Sequence, residues 1–133
     1  MFRPRTAILL LLLAAGCSGP EGVSEGVVRF VGGEPVRSGS VEFRSTTDGS
    51  RYAGRIGEEG QFSLSNGEGN PGIPPGDYEV VVVQIVLTED LPLRGHTHGK
   101  TVPRRYADYG TSGLKVTSAE GGEALHIVLE GEG

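Results

Sequence analysis

The chain of 133 residues contains a single cysteine, no tryptophan and few aromatic side chains, which make up 6% of the sequence. One cysteine cannot form an internal disulfide, and it cannot assemble a cysteine-rich zinc site or an iron–sulfur cluster. The short length leaves room for one small domain and excludes a large multidomain enzyme. No segment shows the 3.6-residue apolar period of an amphipathic helix.

One long apolar run is present, and it lies at the N-terminus. Ala7 to Leu13 is unbroken apolar sequence, it follows a start that carries Arg3 and Arg5, and small residues precede Cys17. This three-part layout is typical of a signal peptide. The run is too short for a membrane-spanning helix, which needs about 20 residues.

The segment Ala14-Ala15-Gly16-Cys17 resembles a bacterial lipobox, in which a small residue precedes a cysteine that becomes the lipidated N-terminus. We therefore predict a lipoprotein signal peptide at residues 1–16, a lipid on Cys17 and a tether over residues 17–25. The acyl chains would anchor the protein in the lipid bilayer, facing the periplasm or the cell surface. Ser18 after the cysteine resembles the pattern of lipoproteins sent to the outer membrane of two-membrane bacteria. The alternative is an ordinary secretory signal in which Cys17 is incidental.

Removal of the signal peptide makes the chain more acidic. Without Arg3 and Arg5, 10 basic side chains face 17 acidic ones, for a net charge of −7. A negative field disfavours nucleic acid and anionic headgroups. The sequence therefore predicts no nucleic-acid partner, and membrane contact through lipid rather than through a basic patch.

Short runs with alternating apolar and polar side chains, separated by glycine and proline, are typical of strands joined by turns. The predicted strands are 27–31, 40–45, 52–56, 61–65, 78–87, 114–117 and 124–129. Seven such strands indicate an all-β sandwich of two sheets, each with one buried face. The alternation assigns to the core Phe43, Phe62, Leu64, Tyr78, Val80, Val82, Leu114, Val116, Leu125 and Ile127.

Four stretches of the chain resemble a carboxypeptidase regulatory-like domain, a transthyretin-like (prealbumin-like) seven-stranded sandwich. They are Gly26-Val27-Val28, Gly33 to Phe43, Gly60-Gln61-Phe62, and Pro74-Pro75-Gly76-Asp77-Tyr78-Glu79-Val80. The segments 102–106 and 111–116 resemble those of small bacterial lipoproteins built on this domain, which would occupy residues 26–130. In larger proteins such domains are non-catalytic accessory modules, so the resemblance implies a structural or binding role and no cofactor.

The long connection 88–113 carries the most suggestive polar cluster, with Glu89, Asp90, His96 and His98. In extended backbone, residues i and i+2 point the same way, so both imidazoles are candidate ligands of one metal ion. A third ligand is missing, because His126 is predicted on the outer face of a separate strand. The alternative is a solvated loop, although a connection of this length is usually functional or disordered.

Arg104, Arg105, Tyr106 and Tyr109 form a second candidate site, a cationic and aromatic surface for a glycan or an acidic partner. The alternative places Tyr106 beneath the loop and leaves the arginines in solvent.

Motifs of catalysis are missing from the sequence. It contains no Gly-x-Ser-x-Gly element, and its C-terminus lacks the Tyr-Arg-Gly-Ser ending of the transthyretin-like branch that hydrolyses a purine-derived ring. We therefore expect no enzyme, but a membrane-anchored lipoprotein that is a structural or binding module of the bacterial cell envelope, with an envelope protein or a glycan as partner. The alternative is a metal- or carbohydrate-binding envelope protein that uses the 88–113 loop.

The predicted strand 78–87 is apolar on both faces, which is unusual in a two-sheet sandwich. Its outward row, Val81, Val83 and Ile85, needs a cover. We expect the 88–113 loop to fold back over this face through Leu91, Leu93 and Tyr106, since an intrachain cover costs no association entropy. The alternative cover is a second protein.

Overall fold

Alternating side chains form seven strands in the computed structural model, which describes residues 22–84 and 100–131. The strands are β1 (Glu25–Phe30), β2 (Ser40–Ser45), β3 (Arg51–Arg55), β4 (Gln61–Ser63), β5 (Gly76–Val83), β6 (Leu114–Ser118) and β7 (Leu125–Leu129). The prediction of an all-β, seven-stranded sandwich is confirmed. Each predicted strand has a counterpart, with boundaries that differ by a few residues.

The strands form two sheets. The three-stranded sheet has the order β4-β1-β7, with β1 antiparallel to β4 and parallel to β7. The four-stranded sheet has the order β3-β2-β5-β6 and is antiparallel throughout. Ala53 and Ser65 exchange two backbone hydrogen bonds of 3.0 Å, which join the sheets on the β3 and β4 side. On the other side, β6 and β7 are edge strands.

The inward faces of the two sheets meet in an apolar core. Phe43 lies at its centre, with ring centroids 5.9 Å from Phe62 and 5.8 Å from Tyr78. Eight of the ten predicted core residues are buried, while Leu114 and Val116 are half-buried against the core. The period-2 pattern therefore identified the inward faces of β2, β4, β5, β6 and β7, and it assigned no core residue to β1 or β3.

The core also includes residues that the alternation did not assign to it. They are Val28, Phe30, Val36, Val41, Ile56, Ile73, Val102, Tyr106 and Leu129. Five of these, Val36, Ile56, Ile73, Val102 and Tyr106, lie in connections between strands. A connection has no side-chain period, so a pattern of alternation does not reveal which of its residues turns inward.

Residues 22–25, upstream of the predicted domain start at residue 26, contact the sandwich. Gly22 N donates to Ile73 O at 2.8 Å, and the Ser118 hydroxyl donates to Val23 O at 2.8 Å. Leu64 N donates to Ser24 O at 3.0 Å. Residues 22–25, which we predicted to be part of a tether, are therefore held by the sandwich.

The strand directions define two ends of the sandwich. The N-terminal end comprises the connections 46–50, 64–75 and 119–124, and the chain reaches β1 from this end. The return end comprises the connections 31–39, 56–60 and 100–113. We call residues 100–113 the return segment.

Two short helices in the return segment were not predicted from the sequence. A 3-10 helix spans Arg104–Ala107, and α1 spans Tyr109–Ser112. The Asp108 carboxylate accepts from Gly110 N at the start of α1, and Gly113 ends it with a φ of 66°. Each helix is about one turn long, which is too short to show a helical period.

Candidate functional site

The return segment closes the return end of the sandwich with two apolar side chains that enter the core. Val102 is 6% exposed and Tyr106 is 4% exposed, and both belong to the main core. Arg104 and Arg105 are exposed. Of the predicted surface of Arg104, Arg105, Tyr106 and Tyr109, the arginines are exposed, Tyr109 is half-buried and Tyr106 is buried. The alternative interpretation of Tyr106, packing beneath the loop, matches its burial.

The Tyr106 hydroxyl joins the return segment to the end of β7. It accepts from Glu130 N and from the Arg105 guanidinium, each at 2.8 Å. The same guanidinium pairs with the Glu130 carboxylate at 3.1 Å. Its hydrogen bond to Tyr106 is the main reason that the pKa of Arg105 is raised. These contacts close the exposed edge of β7 at its C-terminal end.

Tyr109 lies on the outer face of the four-stranded sheet. Its hydroxyl donates to Glu42 Oε1 at 2.8 Å, and the Arg44 guanidinium carbon lies 3.9 Å from its ring centroid. Arg44 in turn pairs with Glu79 at 2.7 Å. Burial is the largest of the effects that raise the pKa of Tyr109.

This arrangement explains how the apolar outer face of β5 is covered. Val81 is 5% exposed but lies outside the main core, and it is the direct cross-strand partner of Glu42. Both helices of the return segment pack against β5. The long connection was expected to cover Val81, Val83 and Ile85, and Tyr109 lies on this outer face beside Glu42, the partner of Val81. Ile85 lies outside the described residues. The expected role of Tyr106 is wrong because that residue belongs to the core. Leu91 and Leu93 lie outside the described residues.

Gln84 connects the return segment to the connection between β1 and β2. Its side-chain oxygen accepts from Val102 N at 3.1 Å, and its amide nitrogen donates to Ser38 Oγ at 3.0 Å. Gln84 continues the inward row of β5, in which it is the first polar side chain after Tyr78, Val80 and Val82. That break in an apolar row is the sequence signal for its role.

Several predicted site residues lie outside the described part of the chain. They are Cys17, Glu89, Asp90, His96 and His98. The metal-site hypothesis for His96 and His98 therefore stays a prediction. His126 is exposed in β7, as predicted. Within residues 22–84 and 100–131, no group of three or more His, Cys, Asp or Glu is arranged to hold a metal ion.

Charge is distributed unequally between the two ends. At the N-terminal end, every charged residue of the connections is acidic, namely Asp48, Glu68, Glu120 and Glu123. The connections of the return end carry both signs, with Arg37, Lys100, Arg104 and Arg105 against Glu34, Glu58, Glu59 and Asp108. Lys100 lies 3.5 Å from Glu34. All basic residues of these six connections are therefore at the return end.

Comparison of this chain with protein-family models, with curated proteins and with solved structures finds no match. In the described segments, no helix has the length and apolar character needed to cross a membrane. The class that the fold defines is an all-β sandwich with a short helical closure at one end.

Proposed function

We propose that this protein is a membrane-anchored, non-catalytic lipoprotein of the bacterial cell envelope, with a sandwich of the carboxypeptidase regulatory-like type. The observation that carries the proposal is the position of Gly22, which pairs with Ile73 at the N-terminal end of the sandwich. Gly22 is only five residues after Cys17. Five extended residues span about 17 Å, so a lipid on Cys17 would keep this end close to the bilayer.

The acidic connections at the N-terminal end support attachment by acyl chains alone. Carboxylates near anionic headgroups are repelled, and a basic patch that would bind them is missing from these connections. An anchor with several acyl chains holds a protein stably without help from such a patch.

The return end would then point away from the membrane. The eight residues of β5, Gly76–Val83, extend about 26 Å between the two ends. Such a distance exceeds the screening length of about 8 Å at physiological ionic strength, so the basic residues of the return end act independently of the bilayer charge. We therefore assign the binding role to the return end, with an envelope protein or a glycan as partner.

Hydroxyl groups of the return segment take part in structural hydrogen bonds, which supports a non-catalytic role. The buried Ser112 hydroxyl donates to Val80 O at 2.6 Å, and Thr111 Oγ1 donates to Arg105 O at 2.6 Å. Each group holds the backbone of the return segment or of β5 in place.

The test is mass spectrometry of the mature N-terminus together with membrane fractionation of wild type, Cys17→Ser and Ser18→Ala. We expect an acylated Cys17 in wild type and in the neighbouring control Ser18→Ala, both extracted by detergent but not by high salt. Cys17→Ser should lose the lipid and leave the membrane fraction. An unmodified Cys17 in the wild-type protein would contradict the proposal.

A further inference from the structure

An open depression of about 380 Å³ lies at the return end of the four-stranded sheet. Its described walls are Ser38, Gly39, Ser40, Arg55, Ile56 and Val83. Ser40 is the cross-strand partner of both Arg55 and Val83, so these three side chains form one row across β3, β2 and β5. The volume is within the range of small-molecule sites in proteins.

The polar groups of this depression favour a negatively charged ligand. Arg55 is exposed and forms no ion pair with another residue in the described ranges, and none of the described residues that line the walls is acidic. A guanidinium without a nearby acid attracts anions and matches the geometry of carboxylate and phosphate groups.

The hydrogen bonds of Gln84 direct the hydroxyl of Ser38. The backbone N–H of Val102 can only donate, so the Gln84 atom that faces it is the side-chain oxygen. The side-chain nitrogen of Gln84 therefore faces Ser38. Ser38 Oγ accepts that hydrogen bond, and its own proton is left for another acceptor. The Ser38 hydroxyl therefore has a proton that it can donate to a ligand in the depression.

Gly39 lets the backbone pass close to β5 at this point. Its φ is 111°, and a Cβ atom there would lie 2.5 Å from Val83 O. Such a φ favours glycine, and the close approach leaves no space for a side chain. The depression thus has a backbone wall that only glycine permits.

We propose that this depression binds an oxyanion, a carboxylate or phosphate group, through Arg55, Ser38 and Ser40. The ligand is a small molecule or the end group of a polymer that carries such a group. The proposal gives the binding role under Proposed function a site and a ligand class, and it rests on that function only for the orientation of the site away from the membrane.

The test is an NMR titration of the ¹⁵N-labelled full chain, in nonionic detergent if the protein partitions into membranes. The probes are inorganic phosphate and glucuronate, added separately at constant ionic strength. We expect saturable shifts of the Gly39 and Ser40 amides and of Arg55 Nε. Saturation by phosphate alone assigns a phosphate ligand, and saturation by glucuronate assigns a carboxylate.

Arg55→Gln and Arg51→Gln form a matched pair, because both remove one exposed charge from β3. We expect Arg55→Gln to weaken binding by about tenfold and Arg51→Gln to leave it unchanged. Equal weakening by both variants, or shifts without saturation in wild type, would overturn the proposal.

Gln84→Glu is a second variant that tests the role of Ser38. A carboxylate at residue 84 still accepts from Val102 N, but it also accepts the Ser38 proton and adds a negative charge. We expect it to abolish the shifts while Gln61→Glu on the exposed face of β4 preserves them. Unchanged binding in Gln84→Glu would overturn the proposal. If the wild-type chain carries no lipid but binds phosphate, only the proposed lipid anchor is refuted. If the chain is lipidated but binds neither phosphate nor glucuronate, only the proposed oxyanion site is refuted.

Discussion

The Tyr109 hydroxyl donates to Glu42 Oε1 at 2.8 Å across the outer face of the four-stranded sheet. Glu42 is the cross-strand partner of Val81, so this hydrogen bond holds Tyr109 on the outer face of the sheet, next to β5. The Arg44 guanidinium stacks on the same ring and pairs with Glu79. The return segment is therefore attached to the outer face of this sheet by Tyr109 and to the end of β7, in the other sheet, by Tyr106.

Tyr109→Phe should lower the free energy of unfolding by about 1 kcal/mol, because it leaves the half-buried Glu42 carboxylate without its phenol donor. Tyr109→Ala should cost about 2 kcal/mol, since it also removes the ring that packs under Arg44. Urea unfolding of each variant measures both values. Tyr52→Phe is the control, because the Tyr52 hydroxyl forms no hydrogen bond to another described residue, and a cost equal to that of Tyr109→Phe would contradict this role.

Val81→Asp should destabilise the protein by about 3 kcal/mol, because it puts a charge beneath the return segment. Val128→Asp, on the outer face of the other sheet, should change stability little, since Val128 is 53% exposed. Both variants are made in the Cys17→Ser chain. Denaturant melts measure their stability, and sedimentation measures their self-association. A stable Val81→Asp protein that loses self-association would instead favour a second protein as the cover of this face.

Phe62→Ala should cost about 3 to 5 kcal/mol, because the ring is 4% exposed and packs against Phe43. His126→Ala serves as the exposed control and should have almost no effect. The measurement is the urea midpoint at equal protein concentration. A loss below about 1 kcal/mol for Phe62→Ala would remove this residue from the core.

The strands and most of their inward faces could be predicted from the sequence because a period of two is visible over five or six residues. The return segment could not be predicted in the same way. Whether Tyr106 or Tyr109 turns inward depends on a 3-10 helix that begins after Pro103 and on the Asp108 cap of α1. Both features depend on hydrogen bonds within a single turn, so they produce no repeated pattern in the sequence.

The depression lined by Ser38, Ser40 and Arg55 could not be predicted from the sequence for a related reason. Ser38 and Arg55 are far apart in the sequence, and only the pairing of β2 with β3 brings Arg55 beside Ser40. Register between strands depends on the whole buried face and on the turn, so it is not readable from either strand alone. Gln84 was the one visible sign, as a polar residue in an otherwise apolar inward row.

Stability should fall at high pH because of Tyr78. Its hydroxyl donates to Pro74 O, and burial is the main cause that raises its pKa from 10.0 to about 12. The folded protein therefore keeps this proton at a pH at which the unfolded chain releases it. The contribution of Tyr78 is fully present below about pH 10 and is lost as the pH rises toward 12, at up to about 1.4 kcal/mol per pH unit.

Urea unfolding at a series of pH values across this window measures the loss, with the tyrosinate absorbance recorded in parallel. Tyr78→Phe should be less stable than wild type near neutral pH, because Pro74 O loses its donor, and its stability should fall less steeply as the pH rises. A residual slope is expected in this variant, since the pKa of Tyr109 is also raised. Tyr52→Phe, which removes a tyrosine whose ring contacts Tyr78, should keep most of the wild-type slope. Equal slopes in wild type and Tyr78→Phe would show that the Tyr78 proton is not linked to folding.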